Sequence, residues 1–203
     1  FENRLQALGA EIQRVAVPPD VYERGGIIGP AGRSWDGRQN VVGTWVLGDG
    51  EGPSVLLNNH MDTVGTAGME FDPFDPVEEA GCLFGRGTSD SKGNTVAGLV
   101  AMAALLQHSA GLRGRVVFES AVDEECNGAG AGTLACCLAG ITADVAVCLD
   151  GDRTHVDIGC NGVATAHVGV RGQGGHGSGR GAISALDKGI VVKEAVDAFA
   201  AEH

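Results

Sequence analysis

The sequence predicts an α/β domain with a mostly parallel sheet and flanking helices, followed by the start of a smaller α+β domain. Short apolar runs without a helical period alternate with helical patterns between residues 41 and 149. Such alternation is typical of parallel strands with helices on both faces of the sheet. After about residue 160 the pattern changes. We therefore predict a first domain over residues 1–160 and a second over residues 161–203, which the end of the chain truncates.

The elements of the first domain follow from local patterns. Apolar residues at helical spacing, from Phe1 through Leu5 and Leu8 to Val15, predict an amphipathic first helix. The segment 94–107 predicts a helix that is apolar all round and therefore buried. The other predicted elements are strands 41–47, 54–58, 115–122 and 143–149, a helix 131–138, a loop 65–76 and a glycine-spaced loop 83–93.

The second domain begins with an alternating pattern over 162–171, which predicts a half-exposed strand. A glycine-rich loop over 172–181 contains His176. Ile183, Ile190 and Phe199 then mark a long amphipathic helix. Because both ends of the chain fall in or beside helical patterns, we expect it to be a fragment.

Composition excludes several classes of protein. Of the 203 residues 43% are hydrophobic and 20% charged, which predicts a packed globular core. The net charge of -12 repels phosphate backbones and argues against nucleic acid as a partner. The longest apolar stretch is too short to span a bilayer, so no membrane association is expected. Six cysteines without a CxxC pair predict reduced thiols that serve as small apolar packing residues, and hence a cytoplasmic protein.

Polar residues that could hold a metal follow the predicted strands or precede the buried helix. In open α/β sheets, ligand sites form beyond the carboxyl ends of the strands. Several separate segments could thus bring one imidazole and several carboxylates to the same edge. These residues are His60, Asp62, Asp90, Glu124, Glu125 and Asp150.

Each signal also has an ordinary structural explanation. His60 could bind a metal while Asp62 hydrogen-bonds its other ring nitrogen, or it could be a strand-end histidine satisfied by a turn aspartate. The adjacent acids 123–125 could bind a cation, with Glu125 as ligand and Glu124 as general base, or form an exposed acidic turn. Asp90 could be a ligand or a helix N-terminal acid, and Asp150 a ligand or a turn residue. The loop before Asn94 does not have the spacing of a phosphate-binding P-loop.

In combination, these motifs resemble a family of two-zinc metallopeptidases, the relatives of acetylornithine deacetylase and succinyl-diaminopimelate desuccinylase (the M20 family). The segments 60–64 (HMDTV), 85–93 (GRGTSDSKG), 123–125 (DEE) and 175–178 (GHGS) match its motifs in order. The resemblance covers about residues 40 to 190. It implies a zinc-exopeptidase-like fold in which the second domain is a lid that also forms a dimer.

The resemblance implies two Zn²⁺ ions, with Co²⁺ or Mn²⁺ as possible replacements. Asp90 would bridge them, His60 and Asp150 would complete one site, and Glu125 would serve the other. Glu124 would be the general base. The Asp90–Ser91 peptide bond is expected to be cis. The last ligand of the second metal would be a histidine beyond the end of this chain.

In such enzymes the lid histidine, here His176, reaches the active site of the partner subunit and stabilises the oxyanion. The expected reaction is therefore hydrolysis of an amide bond in N-acyl amino acids or small peptides by a homodimer. Two alternatives are a dipeptidase or carboxypeptidase of the same family, and a non-catalytic truncated dimerisation fragment. The 203-residue piece alone is expected to be inactive, because a metal ligand and half of the lid are absent.

Overall fold

The computed structural model describes residues 1–30, 32–125, 130–151, 155–159, 166–176 and 181–202. By their contacts the residues form two compact units, Phe1–Asn161 and Gly162–His203. The elements of the first unit are α1 (Glu2–Ala7), β1 (Glu11–Ala16), α2 (Val21–Gly25), β2 (Gln39–Leu47), β3 (Ser54–His60), β4 (Val77–Glu79), β5 (Cys82–Phe84), α3 (Asn94–Gln107), β6 (Gly114–Ala121), α4 (Ala131–Leu138) and β7 (Val145–Cys148).

A five-stranded mixed sheet in the order β1-β2-β6-β3-β7 organises the first unit. The strands β3, β6 and β7 are parallel, whereas β1 and β2 pair antiparallel at one side. The α/β class with flanking helices is confirmed, and its parallel part is the half of the sheet that ends at the predicted site. A separate hairpin of β4 and β5 was not predicted.

Successive side chains along a strand point to opposite faces of the sheet, and they form two hydrophobic clusters, one on each face. On β6, Val117 packs in a cluster with residues of α2 and α4. Its neighbours Val116 and Phe118 pack in a second cluster with residues of α1 and α3. Phe118 is fully buried and meets Phe1 edge-to-face at a centroid distance of 5.2 Å. The helices therefore cover both faces, as parallel strands require.

Two predictions about helices are wrong. The first helix ends at Ala7, and the residues predicted to continue it form β1, which pairs with β2. Gly9, at a φ of 79°, turns the chain between the two elements. The helix over 94–107 is present, but it is not buried all round, because Val96 and Val100 are mostly exposed.

The described part of the second unit includes a long helix, α5 (Ala185–Glu202), where the sequence predicts a helix. Gln173 and Ile183 form an isolated antiparallel bridge before it. The strand predicted over 162–171 is absent at residues 166–171, and its first part lies outside the described residues. Among the described residues, no helix is both long and apolar enough to cross a membrane.

The cysteine prediction holds only in part. The four cysteines described in the structure are free thiols, namely Cys82, Cys136, Cys137 and Cys148. Only Cys136 is buried, so the prediction that the cysteines act as apolar packing residues is wrong for the other three.

Candidate metal centre

The register of the parallel strands brings the predicted ligands to one edge of the sheet. His60 ends β3 opposite Ala121 at the end of β6. Asn58 pairs with Cys148 on β7, so Asp150, two residues further, is level with His60. The acids of 123–125 follow β6 after a single intervening residue, Val122. Three segments distant in sequence therefore end at the same height, as expected for parallel strands.

His60 is the centre of the cluster. Its side chain is 2% exposed, and Nε2 lies 2.9 Å from Asp90 Oδ1 and 3.8 Å from Asp150 Oδ2. Ligand atoms of His60, Asp90 and Glu125 lie within 4.8 Å of one another, and so do those of His60, Glu124 and Asp150. One buried imidazole thus belongs to two ligand groups, each with two carboxylates. Because three of the four carboxylates are exposed, these groups are open to solvent.

The Asp62 carboxylate is used differently from the sequence-based prediction. Its Oδ1 is 3.6 Å from His60 Nδ1, too far for a hydrogen bond, and Nδ1 instead lies 3.0 Å from the Asp62 carbonyl oxygen. The carboxylate accepts hydrogen bonds from the backbone N–H groups of Glu124 and Glu125, both at 3.2 Å. Asp62 therefore fixes the backbone of the two acids, and its carbonyl orients the imidazole.

The charges in the cluster shift the pKa values of its members. Burial lowers the pKa of His60, but the hydrogen bond to Asp90 and the charges of Glu124, Asp150 and Asp62 outweigh burial, so the net shift is upward. Burial raises the pKa of Glu124, and the neighbouring carboxylates raise it further against the opposing effect of His60. Four close carboxylates beside a single imidazole leave negative charge that a cation would neutralise.

The donor set fits a divalent metal ion. Imidazole nitrogen and carboxylate oxygen are ligands of Zn²⁺, and carboxylate-rich sites also accept Mn²⁺ and Co²⁺. The His60 and Asp90 atoms that now contact each other could hold a cation between them once the imidazole is deprotonated.

Asp90 reaches this cluster from the segment before α3. Its backbone is extended, with φ -116° and ψ 99°, within a stretch of helical turn over Thr88–Gly93. The Asp90–Ser91 peptide bond is cis, as the resemblance implies.

Asp123 has a role that sequence reasoning missed. Its φ of 66° turns its side chain away from the cluster. There Oδ1 accepts a hydrogen bond from Arg33 Nη1 at 2.7 Å, and Oδ2 accepts one from Tyr22 Oη at 2.9 Å. The three adjacent acids are thus separated, and Asp123 is neutralised by an arginine from a loop 90 residues earlier. No local pattern around Arg33 could have revealed this pair.

His176 lies in the second compact unit and is exposed. The two residues that complete its predicted motif, Gly177 and Ser178, lie outside the described residues.

Comparison with known proteins identifies the family. The sequence model of peptidase family M20/M25/M40 matches residues 56–202. The chain belongs to this family. Enzymes of the M20 family depend on metal ions, in agreement with the cluster of ligands around His60.

Curated relatives within the M20 family support this assignment. An N-formyl-4-amino-5-aminomethyl-2-methylpyrimidine deformylase of Bacillus subtilis is 35% identical over 144 residues, which cover 68% of this chain and 33% of that protein. A succinyl-diaminopimelate desuccinylase of Leptothrix cholodnii is 35% identical over 187 residues, 85% of this chain and 44% of that protein. The matched segments cover 33% and 44% of the length of these relatives, so the chain spans less than half of each.

Among solved structures, aminopeptidase PepT from Bacillus cereus is similar, with 20% identity and a TM-score of 0.47. The matched part covers 74% of this chain and 36% of that one.

Proposed function

We propose that this chain forms the metal-binding part of a two-metal hydrolase that cleaves the amide bond of N-acyl amino acids or small acylated amines. The observation that supports this most directly is the convergence of His60, Asp90, Glu124, Glu125 and Asp150 at one edge of the sheet. The names of the deformylase and the desuccinylase describe removal of a formyl and of a succinyl group, which favours a deacylase.

The resemblance to two-zinc metallopeptidases implies separate roles for these residues. His60 and Asp150 would hold one Zn²⁺, Glu125 would hold a second, and Asp90 would contribute to both. Glu124 is then the carboxylate left free to act on water and substrate. The Asp62 carboxylate, which binds the backbone of Glu124 and Glu125, would keep the base and the adjacent ligand in register.

The bound cations would supply Lewis-acid polarisation of the scissile carbonyl and would acidify water. Glu124 would accept the proton of the attacking water at its carboxylate. It would return that proton to the amine nitrogen as the carbon–nitrogen bond breaks, so that one water is consumed for each acid and amine released. The same carboxylate would thus serve as base and then as acid.

The proposal extends to the assembly. Residues 1–160 would form the catalytic domain, and residues 161–203 would begin a lid through which two copies associate. His176 of one copy would help stabilise the oxyanion in the other. The free thiols suit a reducing compartment, so we expect a cytoplasmic enzyme.

Replacement of Glu124 by Gln tests the mechanism. In the native polypeptide containing this chain, we expect Glu124→Gln to retain zinc and to lose turnover by roughly 10²- to 10⁴-fold, the usual contribution of a general acid–base. Glu11→Gln, at an exposed site on β1 at the far side of the sheet, is the matched control and should be unaffected.

The assay should offer N-formyl, N-acetyl and N-succinyl amino acids together with dipeptides. Hydrolysis of the acylated compounds supports a deacylase, and preferential hydrolysis of dipeptides would replace it with a peptidase. Full turnover by Glu124→Gln would show that Glu124 is not the general base. A zinc-loaded protein without activity on any of these compounds would contradict the proposed reaction.

A further inference from the structure

A buried amide connects the two segments that supply the innermost ligands. Asn59 directly precedes His60 and is 1% exposed. Its Nδ2 donates to the Ser91 carbonyl oxygen at 2.8 Å and to Thr95 Oγ1 at 2.6 Å. Ser91 Oγ donates back to Asn59 Oδ1 at 2.7 Å. Three hydrogen bonds therefore tie the end of β3 to the start of α3.

The position of this bridge gives it a function beyond packing. Ser91 directly follows Asp90, as Asn59 directly precedes His60. The bridge thus joins the neighbour of one ligand to the neighbour of the other. The Asp90 side chain itself is 63% exposed, so little packing restrains it. The Asn59 bridge therefore restrains the backbone from which Asp90 reaches His60.

The chemistry of the bridge requires an amide. The Ser91 carbonyl needs a donor, and the Ser91 hydroxyl, which is fully buried, needs an acceptor. Asparagine supplies both from one short side chain. Aspartate has nearly the same shape and could still accept a hydrogen bond from the Ser91 hydroxyl, but its second oxygen would face the Ser91 carbonyl oxygen. The donor would be lost there and the two oxygens would repel each other.

We infer that Asn59 is a positioning residue of the metal centre: its amide holds Ser91, and thereby sets the separation of His60 and Asp90. This inference depends on the proposed function, since it requires that these two residues bind metal. Residues that orient metal ligands without touching the ion typically change affinity by 10- to 100-fold when replaced.

Cobalt binding separates this role from a merely structural one. The native polypeptide is titrated with Co²⁺, and the visible absorption of the bound ion reports both affinity and ligand geometry. For Asn59→Asp we expect about 10- to 100-fold weaker Co²⁺ binding and an altered spectrum, with the fold retained by circular dichroism. Ser91→Ala, which removes the returning hydrogen bond and a longer contact of 3.4 Å with the His60 carbonyl oxygen, should show a smaller change in the same direction.

Asn40→Asp is the matched control. Asn40 is equally buried and makes three hydrogen bonds, to the carbonyl oxygens of Val15 and Gly132 and from the N–H of Val122. The same substitution there should destabilise the protein while leaving the cobalt spectrum of the folded state unchanged.

The outcomes are distinct. If the wild type binds cobalt and Asn59→Asp has the same affinity and spectrum, the inference is wrong and the proposed function stands. If Asn40→Asp alters the spectrum as much, the effect is general destabilisation and the inference is also wrong. If Asn59→Asp does not fold, an unchanged Ser91→Ala spectrum overturns the inference. If the wild type binds no cobalt, the metal centre itself is refuted.

Discussion

The ion pair between Asp123 and Arg33 gives a quantitative test of how burial controls the strength of a charge contact. The Asp123 side chain is 1% exposed, and its carboxylate accepts hydrogen bonds from Arg33 and Tyr22. Asp123→Asn removes the charge with little change in shape, and asparagine tolerates the positive φ found there. The variant therefore isolates the loss of charge.

The expected cost follows from what remains in the folded variant. Removing one partner of a buried ion pair typically costs about 3–5 kcal/mol. The Arg33 side chain is 25% exposed and can recover some hydration, so we expect the lower end, about 3 kcal/mol. In a chain of this size that corresponds to a fall in melting temperature of roughly 6–12 °C.

The same chain contains a matched surface pair. Asp49 and Arg113 are joined by contacts of 2.8 Å, but their side chains are 54% and 57% exposed. Asp49→Asn should therefore lower the stability much less than Asp123→Asn does, because solvent screens the exposed pair. The exposed pair makes two contacts between arginine and carboxylate and the buried pair makes one, so a larger loss at Asp123 would reflect burial rather than the number of contacts.

Urea unfolding followed by tryptophan fluorescence measures both variants. Trp45 lies in the core, and Trp35 contacts Tyr22 at a centroid distance of 6.4 Å, so both report on the unit that contains the two pairs. A loss below about 1 kcal/mol for Asp123→Asn, or equal losses for the two variants, would refute the argument from burial.

Two further predictions concern packing and pH. Gly98→Ala would place a methyl group 2.8 Å from both Phe118 Cζ and Leu149 Cδ1, so we expect a loss of about 1–3 kcal/mol on thermal unfolding. The control Gly189→Ala, in open space within α5, should instead gain about 0.5–1 kcal/mol, and equal effects would contradict the packing argument. Burial raises the pKa of Glu119, so the stability that its protonated form contributes is present at low pH and lost as pH rises through the folded pKa. The unfolding free energy of Glu119→Gln should therefore fall less than that of wild type between pH 4 and pH 7. Parallel dependences of the two unfolding free energies on pH would show that burial does not raise the pKa of Glu119.

The sequence predicted the proximity of these side chains better than it predicted the contacts around them. His60 and Asp150 could be placed together because the carboxyl ends of parallel strands share one edge, a rule that needs only the positions of the strands. The register of β3 with β6 and β7 then brings these side chains close together. The partner of Asp123 could not be predicted in this way, because Arg33 comes from an irregular loop whose path is set by tertiary contacts.

Errors in the fold arose where local pattern and tertiary pairing disagree. Leu5, Leu8, Ile12 and Val15 fit a helical period, but pairing with β2 makes the second half of that segment a strand. Similarly, the apolar composition of α3 indicated burial without showing what covers each face. Val96 and Val100 are exposed for this reason, while Met102 on the same helix is buried against the sheet.

The central claim is that cations bind beside His60, held by carboxylates of Asp90, Glu125 and Asp150. Anomalous diffraction at the zinc edge, from crystals of the native polypeptide grown with Zn²⁺, tests it most directly. We expect peaks within about 2.0–2.2 Å of His60 Nε2 and of carboxylate oxygens of this group. Zinc bound elsewhere, with His60 still in direct contact with Asp90, would contradict the account.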